Sequence, residues 1–298
     1  MFRLTLIISV IALTNNIRAN SERPNVILIM CDDLGWGDVG FNGNKIIKTP
    51  NLDSMANSGI KFDQFYAAAP VCSPTRGSVL TGRHPFRYGI YYANTGHMKK
   101  KEFTLAEIMK TKGYRTGHFG KWHLGTLTTK IKDANRGGPK GAKHYSSPQQ
   151  NGFDICFSTE SKVPTWDPML VPKKFSDGSS RRKWWDPLNE SKNADHYGTH
   201  YWDQNGKVVS ENLRGSNSRV IMDRAIPFMK NSLKSKSPFF TVIWFHTPHL
   251  PVIAGPKYTK NTSNKLFIDN INNGEESFIY GNMDTTNEYK NRSSQYKN

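Results

Sequence analysis

The stretch R-P-N-V-I-L-I-M-C-D-D, residues 23–33, decides the fold class of this chain. Its apolar run, residues 25–31, does not alternate with polar residues, which is typical of a strand buried on both faces of a parallel sheet. Asp32 and Asp33 follow this run directly. Because open α/β sheets bind ligands at the carboxyl ends of their strands, the two aspartates are candidate ligands for Ca²⁺ or Mg²⁺. A turn with solvated carboxylates is the alternative.

Predicted helices and strands alternate along the rest of the chain. Ser73 is expected to cap one helix, with Pro74 at its first position. Thr104 and Glu107 form a capping box at the start of another, and Pro227 is expected to kink a third. This alternation predicts an α/β domain with a mainly parallel sheet. The predicted helices span residues 50–59, 104–113 and 218–233, with one more after Cys72, and the predicted strands span residues 25–31, 60–66, 114–120 and 238–246.

Two long stretches interrupt the alternation. Residues 126–150 are basic and rich in Gly and Pro, and they are predicted to form a surface loop. Residues 158–215 are long and irregular, but their many aromatic residues argue against disorder. Trp166 and the other tryptophans in this stretch are candidates for stacking on sugar rings, with simple packing as the alternative.

The beginning of the chain and its charge bear on location and partners. A basic start, an apolar run at residues 4–14 and a small residue at Ala19 predict a signal peptide over residues 1–19 and a secreted or periplasmic protein. No later segment approaches a membrane span, so stable membrane insertion is not expected. The net charge of +17 favours anionic partners such as sulfated glycan, although a solvated lysine-rich surface is the alternative. The lysines are scattered and no nucleic-acid module is present, so nucleic acid is not an expected partner.

Cys72 stands out among three cysteines, which are too few for a disulfide framework. A helix that begins directly after it would point free N–H groups and the positive end of its dipole toward the sulfur. Arg76, one turn further on, would add a fixed positive charge. These residues predict an activated cysteine, with a buried inert thiol as the alternative.

The run C-S-P-T-R-G-S-V-L-T-G-R, residues 72–83, resembles the signature of the type I, formylglycine-dependent sulfatases of the alkaline-phosphatase-like superfamily. In that family C-x-P-x-R directs oxidation of the cysteine to Cα-formylglycine. The stretch that begins N-G-F-D at Asn151 further resembles bacterial sulfatases that act on polysaccharides. The resemblance implies an alkaline-phosphatase-like α/β/α sandwich, whose N-terminal part would occupy residues 20–298. Four more blocks occur in the family's order, at residues 23–38, 49–53, 116–125 and 248–251.

The resemblance also implies a reaction and its cofactors. The aldehyde at position 72, made by a separate maturation enzyme, would be hydrated to a diol. One oxygen of the diol would attack the sulfur of a sulfate ester and displace the alcohol, which leaves a sulfate hemiacetal on residue 72. Loss of the proton from the second hydroxyl would then expel sulfate and regenerate the aldehyde. Asp32, Asp33 and residue 72 would bind a divalent metal, Ca²⁺ or alternatively Mg²⁺. The expected substrate is a sulfated carbohydrate.

Four more residues receive roles by matching the family's motifs. Arg76 would steady the diol, and Lys121 and His123 would face the sulfate and the diol. His249 would hold the sulfate oxygens or assist the leaving group. Lys121, His249 and Trp166 are therefore the predicted substrate-binding residues. Without the resemblance, Lys121 and His123 would be read as ordinary surface residues.

The chain departs from the family's pattern after His249. The family completes its metal site with an Asp-Asn or Asp-His pair after a downstream apolar strand, and Asp269-Asn270 comes too early to match it. We therefore expect a truncated domain with an unpaired sheet edge, a weakened Ca²⁺ site and a polypeptide that is unstable or inactive alone. Two alternative functions remain open: a phosphate or phosphonate ester hydrolase of the same superfamily, and a non-catalytic glycan-binding remnant.

Overall fold

The computed structural model describes residues 23–45, 47–175, 185, 187–188 and 193–256 of the 298-residue chain. The predicted signal peptide, residues 1–19, lies outside these described residues, and so does Asp269-Asn270. The strands are β1 (Val26–Asp32), β2 (Arg115–Lys121), β3 (Ile155–Thr159), β4 (Leu170–Pro172), β5 (Ala194–His196), β6 (Tyr201–Asp203), β7 (Val208–Val209) and β8 (Phe239–Pro248). The helices are α1 (Pro50–Ser58), α2 (Cys72–Thr81), α3 (Pro85–Tyr88), α4 (Leu105–Thr111) and α5 (Asn217–Lys234).

A six-stranded sheet with the order β1-β8-β2-β3-β6-β7 forms the centre of the fold. The first four strands in this order are parallel, and β6 and β7 are antiparallel to their neighbours. Gly117 of β2 lies between Thr241 of β8 and Ile155 of β3, which fixes the register at the middle of the sheet. The carboxyl ends of β1, β8, β2 and β3 therefore meet at one edge.

Helices cover both faces of this sheet. Val242 and Trp244 of β8 belong to the same buried cluster as Leu80 of α2. Ile243, between them in β8, belongs to a second cluster with Val220 of α5. Because successive residues of a strand point to opposite faces, these two clusters lie on opposite sides of the sheet. The predicted α/β/α sandwich with a mainly parallel sheet is confirmed.

Strand β1 is an edge strand of the described sheet, paired there with β8 alone. Leu28 and Met30 pack against the core cluster, whereas Ile27 and Ile29 are 48% and 52% exposed. The apolar run predicted a strand buried on both faces, and within the described residues one face remains uncovered. The unpaired edge expected from truncation stays a prediction, because residues 257–298 lie outside the described part of the chain. Such an edge is an energetic liability because its backbone groups lack partners.

Most predicted elements are confirmed, with boundaries shifted by one or two residues, but the predicted strand at residues 60–66 is wrong. This segment has no strand structure, and Ile60, Phe62 and Phe65 are strongly exposed. Its apolar alternation resembles that of a half-buried strand, yet it pairs with none of the described strands. Alternation predicts a strand only where tertiary structure supplies a partner.

The two predicted loops are more ordered than expected. In residues 126–150, Leu127 and Asp133 are buried, and a 3₁₀ helix spans Pro139–His144. Asp133 accepts hydrogen bonds from the Trp202 indole and the His200 backbone, so the basic loop is tied to the aromatic one. Four short strands, β4 to β7, lie within residues 158–215. None of the described helices combines the length and apolar character that a membrane span requires.

Replacing Gly120 tests the sheet register beside the candidate site. Gly120 has a φ of 108°, and an added Cβ would collide with the Trp244 carbonyl of the neighbouring strand. We expect Gly120→Ala to lower the free energy of unfolding by more than about 2 kcal/mol. Gly37→Ala is the control, because a Cβ there meets nothing within 4 Å, and its effect should stay within about 0.5 kcal/mol. Equal urea midpoints for the two variants would contradict this register.

Candidate active site

The candidate residues converge at the carboxyl edge of the sheet. Asp32 ends β1, Lys121 ends β2, and His249 follows the last residue of β8. Cys72 is the first residue of α2, and Arg76 lies one turn further along the same helix. Asp33 and His123 lie with these residues, so the structure brings together seven of the eight predicted site residues.

The Asp32 carboxylate is shared by two buried cations. Arg76 Nη2 lies 3.0 Å from Asp32 Oδ1, and Lys121 Nζ donates to Asp32 Oδ2 at 2.5 Å. Arg76 Nη1 also donates to the Lys121 carbonyl at 2.8 Å, and the guanidinium lies over the Trp244 ring. All three charged side chains are at most 3% exposed. We call Asp32, Arg76 and Lys121 the ion triad.

The ion triad carries a net positive charge. Burial alone would raise the pKa of Asp32, but the Arg76 and Lys121 charges outweigh it and hold that pKa far below its usual range. Asp32 is therefore ionised at neutral pH and cancels one of the two cations. The remaining positive charge makes this wall of the site favourable for an anion.

Cys72 lies at the N-terminus of α2, with Val71 as the capping residue. The prediction that Ser73 caps this helix is wrong, because the helix begins two residues earlier than Pro74 suggested. The Ser73 hydroxyl instead donates to the His123 carbonyl at 2.7 Å. This bond ties the start of α2 to the segment after β2, so His123 is held in a fixed position relative to the Cys72 sulfur.

His123 is held between Cys72 and a residue that the sequence did not indicate. Its Nδ1 lies 3.1 Å from Cys72 Sγ, and its Nε2 lies 2.9 Å from Asn94 Oδ1. Asn94 Oδ1 also accepts from Asn135 Nδ2 at 3.0 Å, so this oxygen is an acceptor. The proton of the neutral ring then belongs on Nε2, which leaves the Nδ1 lone pair facing residue 72.

The charge state of His123 follows from its surroundings. Burial, then the Lys121 and Arg76 charges, lower the pKa of His123 well below its usual value. The imidazole is therefore neutral at pH 7 and able to accept a proton.

The His123 backbone lies in the left-handed region, with φ 57°, and Asn94 has φ 62°. Asparagine tolerates the left-handed region and is common in turns that contain Gly. This preference is the only local sequence signal at Asn94, and it predicts a turn rather than a functional residue.

His249 is the remaining titratable side chain of the cluster. Its Nδ1 donates to the Leu250 carbonyl at 2.6 Å, and its Nε2 lies 3.6 Å from Asp33 Oδ2. Burial and the Lys121 charge lower the pKa of His249. His246, predicted to be structural, is buried, and its Nε2 contacts the Thr159 hydroxyl at 2.8 Å.

A cavity of about 850 Å³ gives access to these groups. Cys72, Asp33 and Arg76 line it, together with Phe65 and Tyr66. Its volume is within the range of ligand pockets in enzymes. A small substrate that enters it meets the N-terminus of α2 together with Asp32 and Arg76 of the ion triad.

Trp166 lies apart from this cluster in the described contacts. It is half-buried, its ring packs against Gly255, and its backbone forms a bridge with Ser216. A Cβ on Gly255 would clash with the indole, which shows close packing. The proposed contact of Trp166 with substrate stays a prediction.

The predicted metal ligands fit a divalent cation only in part. Two carboxylates at a strand end suit Ca²⁺ or Mg²⁺, but both oxygens of Asp32 already contact cations. Within the part of the chain that the structure describes, no three His, Cys, Asp or Glu side chains are grouped to hold a metal. The described residues therefore do not form a complete metal site.

A comparison with protein families places the chain. The family model described as Sulfatase matches residues 24–292. The chain belongs to the sulfatase family. It is 31% identical over 270 residues to arylsulfatase G of Rattus norvegicus, a match that covers 83% of this chain and 45% of that protein. The sulfatase chain thus spans less than half the length of this relative.

Solved structures agree with this assignment. The crystal structure of Ps i-CgsB is 28% identical with a TM-score of 0.60, over 81% of this chain and 49% of that one. The structure of BT4656 in complex with its substrate, D-glucosamine-2-N,6-O-disulfate, is 26% identical with a TM-score of 0.52. That match covers 76% of this sulfatase chain and 35% of BT4656.

The tautomer of His123 is directly testable. With ¹⁵N-labelled histidine, we expect NMR to show the His123 proton on Nε2 in the wild-type chain, because Asn94 Oδ1 accepts it. Asn94→Leu removes the acceptor, and the Nδ1–H form should then become populated. Asn205→Ala, in an exposed turn, is the control and should leave the His123 signals unchanged. A His123 spectrum that is identical in Asn94→Leu and wild type would contradict this hydrogen-bond assignment.

Proposed function

We propose that this chain contributes the nucleophile-bearing part of an enzyme that hydrolyses sulfate esters of carbohydrates, with formylglycine made from Cys72 as the nucleophile. The observation that carries the proposal is the position of Cys72. It lies at the N-terminus of α2, 3.1 Å from a neutral histidine, in a cavity that Asp32 and Arg76 of the ion triad also line. Family membership supports the same chemistry.

Binding of the sulfate group follows from the charges of the site. A sulfate monoester is an anion, and the net charge of the ion triad and the N-terminus of α2 both attract it. Lys121 Nζ uses one of its three protons on Asp32, and the proposal assigns the remaining two to sulfate oxygens. Asp32 limits the freedom of Lys121 and Arg76, so these donors are oriented before substrate arrives. Such preorganised charge is the main source of catalysis by electrostatic stabilisation.

Proton transfer is assigned to the two histidines. Formylglycine at position 72 would supply a hydrated aldehyde whose hydroxyls take the place of the thiol. His123 Nδ1 faces this position with its lone pair, so it is the proposed acceptor of a hydroxyl proton. His249 is anchored through Nδ1–H, so the neutral ring carries a lone pair on Nε2, and it would be the doubly protonated imidazolium that donates from Nε2 to the oxygen of the leaving alcohol. The overall reaction consumes water and yields an alcohol and sulfate.

The remaining parts of the proposal rest on sequence and on relatives. Sulfated carbohydrate is the proposed substrate class, since BT4656 is described with a sulfated glucosamine as its substrate. Formylglycine requires a maturation enzyme as a partner, and a secreted or periplasmic location fits the sequence of residues 1–19. Ca²⁺, or alternatively Mg²⁺, stays a proposal that needs ligands besides Asp32 and Asp33.

Turnover of paired aryl esters tests the reaction. The chain is co-expressed with a formylglycine-generating enzyme and assayed with 4-nitrophenyl sulfate and 4-nitrophenyl phosphate in the presence of Ca²⁺. The proposed function expects sulfate release, in place of the inactivity that the sequence predicts for the polypeptide alone, and Cys72→Ala should lower this release by more than about 10³-fold because the nucleophile is lost. Cys156→Ala is the control, since this thiol is buried in the core cluster.

Two results would contradict the proposal. Faster hydrolysis of the aryl phosphate would favour the phosphate ester hydrolase. Salt-dependent binding of a sulfated polysaccharide, without hydrolysis of either ester by the matured chain, would favour the non-catalytic remnant.

A further inference from the structure

Three exposed aromatic side chains, His84, Phe86 and Tyr91, lie in a row between α2 and Asn94 in the sequence. The His84 and Phe86 ring centroids are 5.5 Å apart with planes 13° apart, and those of Phe86 and Tyr91 are 5.8 Å apart with planes 10° apart. Phe86 is 75% exposed and Tyr91 is 55% exposed. We call His84, Phe86 and Tyr91 the aromatic row. Such large exposed apolar area costs free energy, so near-parallel rings at the surface indicate a binding function.

The aromatic row is anchored to the helix that carries Cys72. Phe86 belongs to α3, whose last residue, Tyr88, is buried. The Tyr88 hydroxyl donates to the Pro74 carbonyl in the first turn of α2 and lies 3.1 Å from the Ser78 hydroxyl. The rings are therefore held in a fixed position relative to the nucleophile.

The other end of the row, Tyr91, is close in sequence to Asn94 of the candidate site. Tyr91 precedes Asn94 by three residues, so their Cα atoms are at most about 11 Å apart. The Thr95 N–H donates to the Tyr92 carbonyl at 3.3 Å, which closes a turn at this point. Asn94 contacts His123, which contacts Cys72. Tyr92, next to the row, is also 62% exposed.

Positive charge surrounds the aromatic row. Lys99 Nζ lies 3.4 Å from the position of a Cβ on Gly89, the residue that links α3 to Tyr91. Arg87 of α3 and the two lysines after Lys99 are exposed as well. Glu102 is the only acidic residue between positions 83 and 102, and it is paired with Arg83. The surface therefore combines apolar ring faces with cations that lack acidic neighbours in this segment.

We propose that the aromatic row, with Lys99 and Arg87, is a subsite that binds a second sugar residue of the substrate, besides the one that loses its sulfate. The apolar face of a pyranose ring packs on Phe86 and Tyr91, and a sulfate group on that sugar pairs with Lys99 or Arg87. An uncharged glycan would use the rings without the cations, and a small inorganic anion would use the cations without the rings. The inference rests on the proposed function for its substrate class, and it adds that the substrate is an oligomer.

Binding of a defined oligosaccharide tests the subsite. The probes are a heparin-derived hexasaccharide and the same hexasaccharide after desulfation and N-acetylation, titrated into the full chain by calorimetry. We expect Phe86→Ala to weaken binding of the sulfated probe about five- to tenfold, because one stacking surface is lost. Phe86→Tyr should retain binding. Lys99→Ala should weaken binding of the sulfated probe but not of the desulfated one.

The matched control is Phe62→Ala. Phe62 is 72% exposed, close to the exposure of Phe86, and lies outside the aromatic row. The subsite is overturned if Phe86→Ala and Phe62→Ala bind the sulfated hexasaccharide equally well, or if the wild-type chain does not bind it.

The same titration separates this inference from the proposed function. Loss of hexasaccharide binding in Phe86→Ala, in a chain that hydrolyses no sulfate ester, keeps the subsite and rejects the enzyme. If the chain hydrolyses 4-nitrophenyl sulfate but Phe86→Ala does not change its affinity for the hexasaccharide, the proposed function is supported and the subsite is rejected.

Discussion

A buried carboxylate shared by two cations is the interaction on which the rest of the site depends. Asp32 ends β1, Arg76 lies in α2, and Lys121 ends β2, so the ion triad joins three elements at one edge of the sheet. Removing one partner from a buried ion pair leaves an uncompensated charge and typically costs about 3–5 kcal/mol. Because none of the three charges is stable alone in this position, the relative placement of the elements is tightly constrained.

That constraint places the reactive groups. Cys72 is one helical turn before Arg76, and His123 is two residues after Lys121, so both follow the ion triad. Burial, together with the Lys121 and Arg76 charges, lowers the pKa of His123 and keeps the ring neutral, and Asn94 orients it. A neutral imidazole with its lone pair toward residue 72 is the form needed to accept a proton. One electrostatic arrangement therefore positions the nucleophile, attracts the anion and sets the protonation state of the base.

The sequence was sufficient for the fold class and for choosing candidate residues that converge in the structure, because both are encoded in short motifs. An apolar run followed by two aspartates predicts a strand end with ligands, and the C-S-P-T-R motif locates Cys72 and Arg76. Features that depend on tertiary contacts were missed. Asn94 has no chemical signal in the sequence, and it acquires a role only because the turn at residues 92–95 lies beside His123. Residues 60–66 alternate like a strand, but pairing needs a neighbour that their sequence cannot supply.

The most direct test is the mass of the tryptic peptide that spans residues 62–76, taken from the chain co-expressed with a formylglycine-generating enzyme. Cys72 lies at an accessible helix start, near the proton acceptor His123 and the positively charged ion triad, where we propose that an aldehyde nucleophile is made and used. We predict that most of this peptide carries an aldehyde in place of the thiol. A peptide that retains the unmodified thiol under these conditions would contradict the assignment of Cys72 as the nucleophile.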